Sequence, residues 1–229
     1  MPTERFRRFR ELQENLRERV RLVPMLTKPR CIVAVDLHVG RGSLGHAAAV
    51  AVNASGETLD RVVVPQQIEI PYVPGFLSFR ELPLCIAAVE RLSVQPDVVL
   101  LDGHGIAHPR RFGIACHFGV EMNVPAIGIA KSLLTGEGRE PGRERGETAD
   151  LVLDGEVVGK SVRTRSGVKP LYISPGHLVT IENAVDLVLS LCTRFRLPEP
   201  SREAHRLARE AARDLTIEAA GQNQSSPAG

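Results

Sequence analysis

Apolar positions along this chain follow two rhythms, and the switches between them mark out its elements. Residues 4–22 place Phe6, Phe9, Leu12, Leu16 and Val20 three or four apart among Glu and Arg, which predicts an amphipathic helix docked by one face on a larger body. The next apolar runs are short: 31–37 (CIVAVDL), 46–52 (HAAAVAV) and 59–65. A loop with Gly40, Gly42 and Gly45 and the turn Asn53-Ala54-Ser55-Gly56 separate them, predicting three strands of an antiparallel meander. Pro71 and Pro74 then forbid a regular strand around Tyr72. A helix is predicted from Ser78 to about Ser93 with Glu81 in its first turn, although Pro83 suits a first turn only.

Val98-Val99-Leu100-Leu101 is too short for a helix and too apolar for a half-solvated strand. It reads as a buried strand of a largely parallel sheet, ending on Asp102. Pro109-Arg110-Arg111 opens a helix-like segment to about Asn123, and 125–130 predicts a fifth strand ending beside Lys131. Residues 135–147 mix glycine with Glu and Arg without periodicity, as a mobile loop does. Asp154-Gly155 is a strong hairpin signal within 151–165. Thr180 caps a helix running through Leu191, and a last helix spans Pro200 to about Ile217. The pattern is that of an α/β protein with a mixed central sheet flanked by helices. It predicts one domain over 1–217, with the N-terminal docking helix inside 1–28 and a disordered tail over 218–229.

Composition narrows this little. With 43% hydrophobic and 24% charged residues and a net charge of +2, the chain of 229 residues is ordinary for a globular protein and favours no partner class by charge. Four widely spaced cysteines with no CxxC pair argue against a disulfide framework or a zinc site. No apolar run approaches the length of a membrane span, and the N-terminus lacks a signal-peptide core. A cytoplasmic monomer is expected.

The candidate chemistry lies in three carboxylates. Asp36 ends the first strand, Asp102 ends the fourth, and Glu81 stands at the start of a central helix. If the first and fourth strands are parallel neighbours, Asp36 and Asp102 share one sheet end, where α/β folds place their sites. Converging carboxylates repel unless a cation neutralises them, and hard oxygen donors suit Mg²⁺ or Mn²⁺. Lys131 is placed to stabilise a phosphate oxyanion. His104 and His108 have an i, i+4 spacing, but Gly103 and Gly105 make a zinc-binding helix there improbable.

Several long blocks carry a resemblance: VAVDL at 33–37, PYVPGFLSFRELP at 71–83, DVVLLDGHGIAHPRRFGIACHFG at 97–119, VPAIGIAKSLL at 124–134, LYISPGH at 171–177 and RLPEPSREAH at 196–205. In this order they resemble the endonuclease V family, the deoxyinosine-directed repair nucleases of RNase H-like fold. The resemblance implies that Asp36, Glu81 and Asp102 are catalytic metal-binding residues, with His205 near the metal. It implies that Pro71, Tyr72, Val73 and Pro74 form a wedge filling the gap left by an extruded base. It places Gly103, His104 and Gly105 along the lesion-base pocket, His108 close by, and His177 as a further neighbour. Where relatives often carry a small residue and then an aromatic after the first Asp, this chain has Leu37-His38-Val39, so contacts of that aromatic are not expected.

The implied activity is Mg²⁺-dependent hydrolysis of the second phosphodiester 3′ to deoxyinosine, with Mn²⁺ as substitute, leaving 3′-hydroxyl and 5′-phosphate ends. Partners would be inosine-containing DNA, including single-stranded DNA or RNA. Two rivals remain: an inosine-specific endoribonuclease with the same centre, and a non-catalytic lesion-binding protein, which would be expected to lack a carboxylate.

Overall fold

The computed structural model of the chain describes residues 2–40 and 43–222. Nine strands share one mixed sheet in the order β3-β2-β1-β4-β5-β9-β8-β7-β6. They are β1 (Ile32–Val39), β2 (Leu44–Val52), β3 (Thr58–Gln67), β4 (Val98–Asp102), β5 (Ala126–Ala130), β6 (Glu137–Gly138), β7 (Thr148–Leu153), β8 (Glu156–Val162) and β9 (Leu171–His177). The first three form the expected antiparallel meander, while β1, β4 and β5 run parallel. The helices are α1 (Pro2–Arg17), α2 (Leu77–Glu90), α3 (Ile114–Met122), α4 (Ile181–Leu191) and α5 (Glu199–Gln222). The α/β class expected from the pattern, and the RNase H-like arrangement that the resemblance implies, are those observed.

Near-continuous apolar runs form the central strands because both sheet faces are covered. Val33, Val35, Ala47, Val99 and Leu101 pack against Leu82 and Cys85 of α2 and Phe118 of α3. On the opposite face, Ile32, Ala34, Ala48, Leu100 and Ile127 meet Val185 and Val188 of α4 and Ala204 and Ala208 of α5. A third cluster seats Leu16 of α1 against Phe112, Cys116 and Val158. Each fully buried Val, Leu, Ile or Phe among them contributes about 1.5–3 kcal/mol.

Local chemistry explains several boundaries. Asp154 (φ 52°) and Gly155 (φ 78°) form the two-residue turn of the β7–β8 hairpin. The Thr180 side chain accepts from the Asn183 amide and opens α4. Helix α3 starts at Ile114 rather than near Arg110. A side chain at Gly113 would come within 2.2 Å of the His104 carbonyl, so the chain must close against itself before it can coil. Pro83 sits inside α2, which already begins at Leu77, so Glu81 stands one turn into the helix rather than in its first turn.

Three further expectations meet a different outcome. The N-terminal helix stops at Arg17, and 18–28 is not helical. There the Arg21 amide donates to His177 Nδ1 (3.3 Å), Leu178 donates to the Arg21 carbonyl (2.7 Å) and Met25 to Asn183 Oδ1 (2.8 Å). Val20, Val23 and Pro24 disfavour helix, and the strap satisfies its backbone on β9 and α4 instead. The loop expected to be mobile at 135–147 is tied down. The buried Arg163 guanidinium donates to the carbonyls of Gly142 (2.8 Å), Pro141 (2.9 Å) and Val168, and Arg145 donates to Leu189 (2.8 Å) at the end of α4. Helix α5 extends to Gln222, into the segment expected to be disordered, and 223–229 lie outside the described residues. Among the described residues no helix is long and apolar enough to cross a membrane.

Candidate active site

The parallel register pairs Val35 with Leu101, so Asp36 and Asp102 project side by side from the carboxyl ends of β1 and β4. Alternation puts both on the face that carries α5. Helix α5 brings His205 Nδ1 to 2.6 Å from Asp36 Oδ2. From β5, Lys131 Nζ lies 2.5 Å from Asp102 Oδ2. Glu81 comes from α2, on the other side of the sheet end. All three carboxylates and Lys131 border one cleft of about 320 Å³ together with Tyr72, Gly103, His104 and His108.

The electrostatics show a site short of positive charge. Burial, reinforced by the Asp102 and Asp36 charges, pushes Glu81 up to about 8. Burial and then the Asp102 charge raise Asp36, offset only in part by Lys131 and His205. No hydrogen bond from the described residues reaches the Glu81 carboxylate. Among the described residues no three His, Cys, Asp or Glu side chains are assembled as a ready metal cluster. Asp102 is held by Lys131, and Asp36 by His205. The donor chemistry nevertheless fits a hard divalent ion: three carboxylates bordering one cleft, with no sulfur among them.

The histidines separate cleanly. His104 donates from Nε2 to the Ser132 carbonyl (3.1 Å), and burial lowers its pKa. His108 accepts the Arg110 amide at Nδ1 (3.2 Å) and donates from Nε2 to the Gly75 carbonyl (3.1 Å). Both of its ring nitrogens are engaged, and burial with the Arg110 charge takes it down to about 4, so His108 is not arranged as a zinc ligand, and among the described residues no metal-holding cluster includes His104. His177, expected as an active-site neighbour, pairs with Ala126 at the start of β5, the opposite end of the sheet from Asp102 and Ile129. Its register corrects that expectation.

Gly103 and His104 border the cleft, but Gly105 is turned inward. A side chain on Gly105 would meet the Pro175 carbonyl at 2.0 Å, and its amide donates to Ser174 Oγ (2.8 Å), so this glycine serves internal packing. Tyr72 is 61% exposed at the cleft rim. Sequence reasoning missed the apolar lining from Leu37, Leu77, Ile114, Leu133 and Leu134. It also missed Ser78, whose hydroxyl meets His117 Nδ1 at 3.1 Å. Only the repeated apolar positions beside the motif residues hinted at that lining.

The family model described as Endonuclease V matches residues 14–206, most of the chain. The chain belongs to the endonuclease V family. Among its relatives, Endonuclease V of Myxococcus xanthus is 50% identical over 86% of this chain and 85% of its own length. That of Geotalea uraniireducens is 47% identical over 90% and 88%. A crystal structure of Endonuclease V from Streptomyces avermitilis superposes with a TM-score of 0.87 at 37% identity, covering 92% of this chain and 94% of that one. An Endonuclease V from Ciona intestinalis, solved with a 23mer DNA containing an inosine followed by a ribo-adenosine, gives a TM-score of 0.80 at 27% identity over 93% and 98%. Members of the endonuclease V family are nucleases that hydrolyse phosphodiester bonds and generally depend on a metal ion.

Proposed function

We propose that this chain is a Mg²⁺-dependent endonuclease that recognises deoxyinosine in DNA. It would hydrolyse the second phosphodiester 3′ to the lesion, leaving 3′-hydroxyl and 5′-phosphate ends, and act as a cytoplasmic monomer. The observation that supports this most directly is one cleft bordered by Asp36, Glu81, Asp102 and Lys131 at its floor and Tyr72 at its rim. The inosine-containing DNA held by the Ciona intestinalis relative supports the substrate class.

Asp36, Asp102 and Glu81 would hold Mg²⁺, with Mn²⁺ as substitute, and the ion would supply charge neutralisation and water activation at the scissile phosphate. The residues themselves do the rest. Lys131, poised at Asp102, offers N–H donors to a non-bridging phosphate oxygen as negative charge grows there. His205 orients the Asp36 carboxylate from α5. Tyr72, held out on a loop with two prolines, fills the space vacated by the extruded base at low entropic cost, and Pro71, Val73 and Pro74 stiffen it. Gly103, His104 and His108 line the wall against which the base would stack, with Gly105 fixing that wall from behind.

The test is nicking of a duplex carrying one deoxyinosine, with the product ends mapped, against an undamaged duplex. Cleavage of both duplexes alike, or of neither in Mg²⁺ and Mn²⁺, overturns the reading. Binding without cleavage would favour a lesion-binding protein, a rival against which the presence of all three carboxylates already counts. The ribo-adenosine in the Ciona intestinalis complex favours a second reading, an inosine-directed endoribonuclease using the same cleft. Matched DNA, RNA and chimeric strands separate the two, because only the ribose 2′-hydroxyl differs.

A further inference from the structure

We propose that Gln13, His108 and Arg110 are positioning residues for Tyr72, acting by gripping one atom, the carbonyl oxygen of Gly75. The inference rests on the reading of Tyr72 as the wedge. Three side chains from two distant parts of the chain donate to that oxygen: Arg110 Nη2 at 2.6 Å, Gln13 Nε2 at 3.1 Å and His108 Nε2 at 3.1 Å. The donors are also locked to one another. Gln13 Oε1 accepts from Arg110 Nε (2.6 Å), and Gln13 Nε2 also reaches the Phe112 carbonyl (3.1 Å). His108 Nδ1 accepts the Arg110 amide, which leaves the ring hydrogen on Nε2, facing Gly75.

The segment around Tyr72 has few other anchors. Ile68 donates to the Ser43 carbonyl (2.9 Å), and after it the next backbone bond among the described residues is Phe76 to Val73 (3.0 Å). The Tyr72 ring stands out into solvent, so its direction is set where the loop is held, at Gly75. That residue has φ +81°, and a side chain on it would sit 2.9 Å from Arg110 Nη2, so the grip requires glycine. Beside it the Arg110 guanidinium stacks 4.4 Å over the Phe76 ring, and Phe76 packs on Phe6 and Phe9 of α1. The wedge loop is thus fastened both to α1 and to the segment that follows Asp102. A wedge presented in one stance loses less freedom on entering a duplex than one that must be ordered there.

Full-length Arg110→Ala, with Gln13→Ala as the second variant should the first not fold, tests this in two ways. Amide hydrogen exchange at Phe76, whose N–H is bonded to the Val73 carbonyl, is expected to quicken by about tenfold or more as that segment opens locally. KM for nicking an inosine duplex is expected to rise about tenfold with kcat changed far less, and the loss to be smaller on a single-stranded inosine oligonucleotide, where there is no opposing strand to part. In a Tyr72→Ala background the same substitution is expected to add little further loss. Unchanged exchange, or an equal loss with and without Tyr72, overturns the proposal. Failure of the unaltered protein to nick inosine DNA overturns the functional reading instead, while the exchange measurement still decides whether the grip holds the loop.

Discussion

Strand β4 carries an aspartate at each end, and the two are treated oppositely. Asp97, just before the strand, accepts the Arg30 amide (2.7 Å) and the Cys31 amide (2.9 Å) on one oxygen, tying β4 to the start of β1. Asp102, at the other end, has no backbone donor among the described residues. It faces Lys131 and stands beside Asp36 and Glu81. A carboxylate saturated by amides belongs to the scaffold. One left among like charges, with a single half-exposed ammonium as partner, retains capacity for a ligand. The difference lies in the supply of donors, since the residue type is the same.

Substitution breaks the comparison most sharply. Asp102→Asn or Asp36→Asn is expected to lower the inosine-duplex nicking rate by about 10³-fold or more, whereas Asp97→Asn leaves the rate near that of the unaltered protein and lowers Tm by about 2–4 °C. Comparable activity losses at Asp97 and Asp102 would erase the distinction. Lys131→Ala is expected to slow single-turnover cleavage by about 10²–10³-fold while lesion binding stays within a few fold. An unchanged rate would remove Lys131 from the chemistry.

A third measurement contrasts the site with the core beneath it. His117 is buried against Ser78 and Phe79, and burial takes its pKa from an ordinary 6.5 to about 4. Between those values the unfolded chain binds the proton and the folded chain does not. The contribution of His117 is therefore complete above about pH 6.5 and falls as the pH drops toward 4, by about 2 kcal/mol at pH 5. Urea unfolding of the unaltered protein and of His117→Gln at pH 7.5 and pH 5 checks this: the stability difference between the two is expected to fall by about 2 kcal/mol from the higher pH to the lower, other titrating groups cancelling in the comparison. Smallest is Tyr72→Ala, expected to weaken inosine-duplex binding by about tenfold with little change in the rate of bound substrate. An unchanged dissociation constant would separate the exposed ring from recognition.

Much of the fold was legible where local signals agreed with the tertiary result. The meander, the Asp154-Gly155 hairpin and the Thr180 cap each rest on a few adjacent residues. Residues 18–22 read as helix because apolar spacing continues through Val20, while the hydrogen bonds that win in this strap go to His177, Leu178 and Asn183, far along the chain. The segment at 135–147 looked mobile because the guanidinium that binds it belongs to Arg163. His177 looked like a site residue because a motif cannot say at which end of an antiparallel strand its register will leave it.

By itself the sequence determined the class of the fold, since buried strands must be apolar on both faces and turns need particular residues. It also singled out Asp36 and Asp102, because a carboxylate ending an apolar run is conspicuous in one dimension, and Glu81 through its place in the block at 71–83. Only the tertiary structure decided which groups each of them meets. Strand register set Asp36 beside Asp102, and the packing of α5 brought His205 across 169 positions to Asp36. Gln13 and Arg110 met on a single carbonyl whose importance no local pattern records. Period and propensity act over a few residues, whereas charge and hydrogen bonding act through space between segments that only the folded chain brings together.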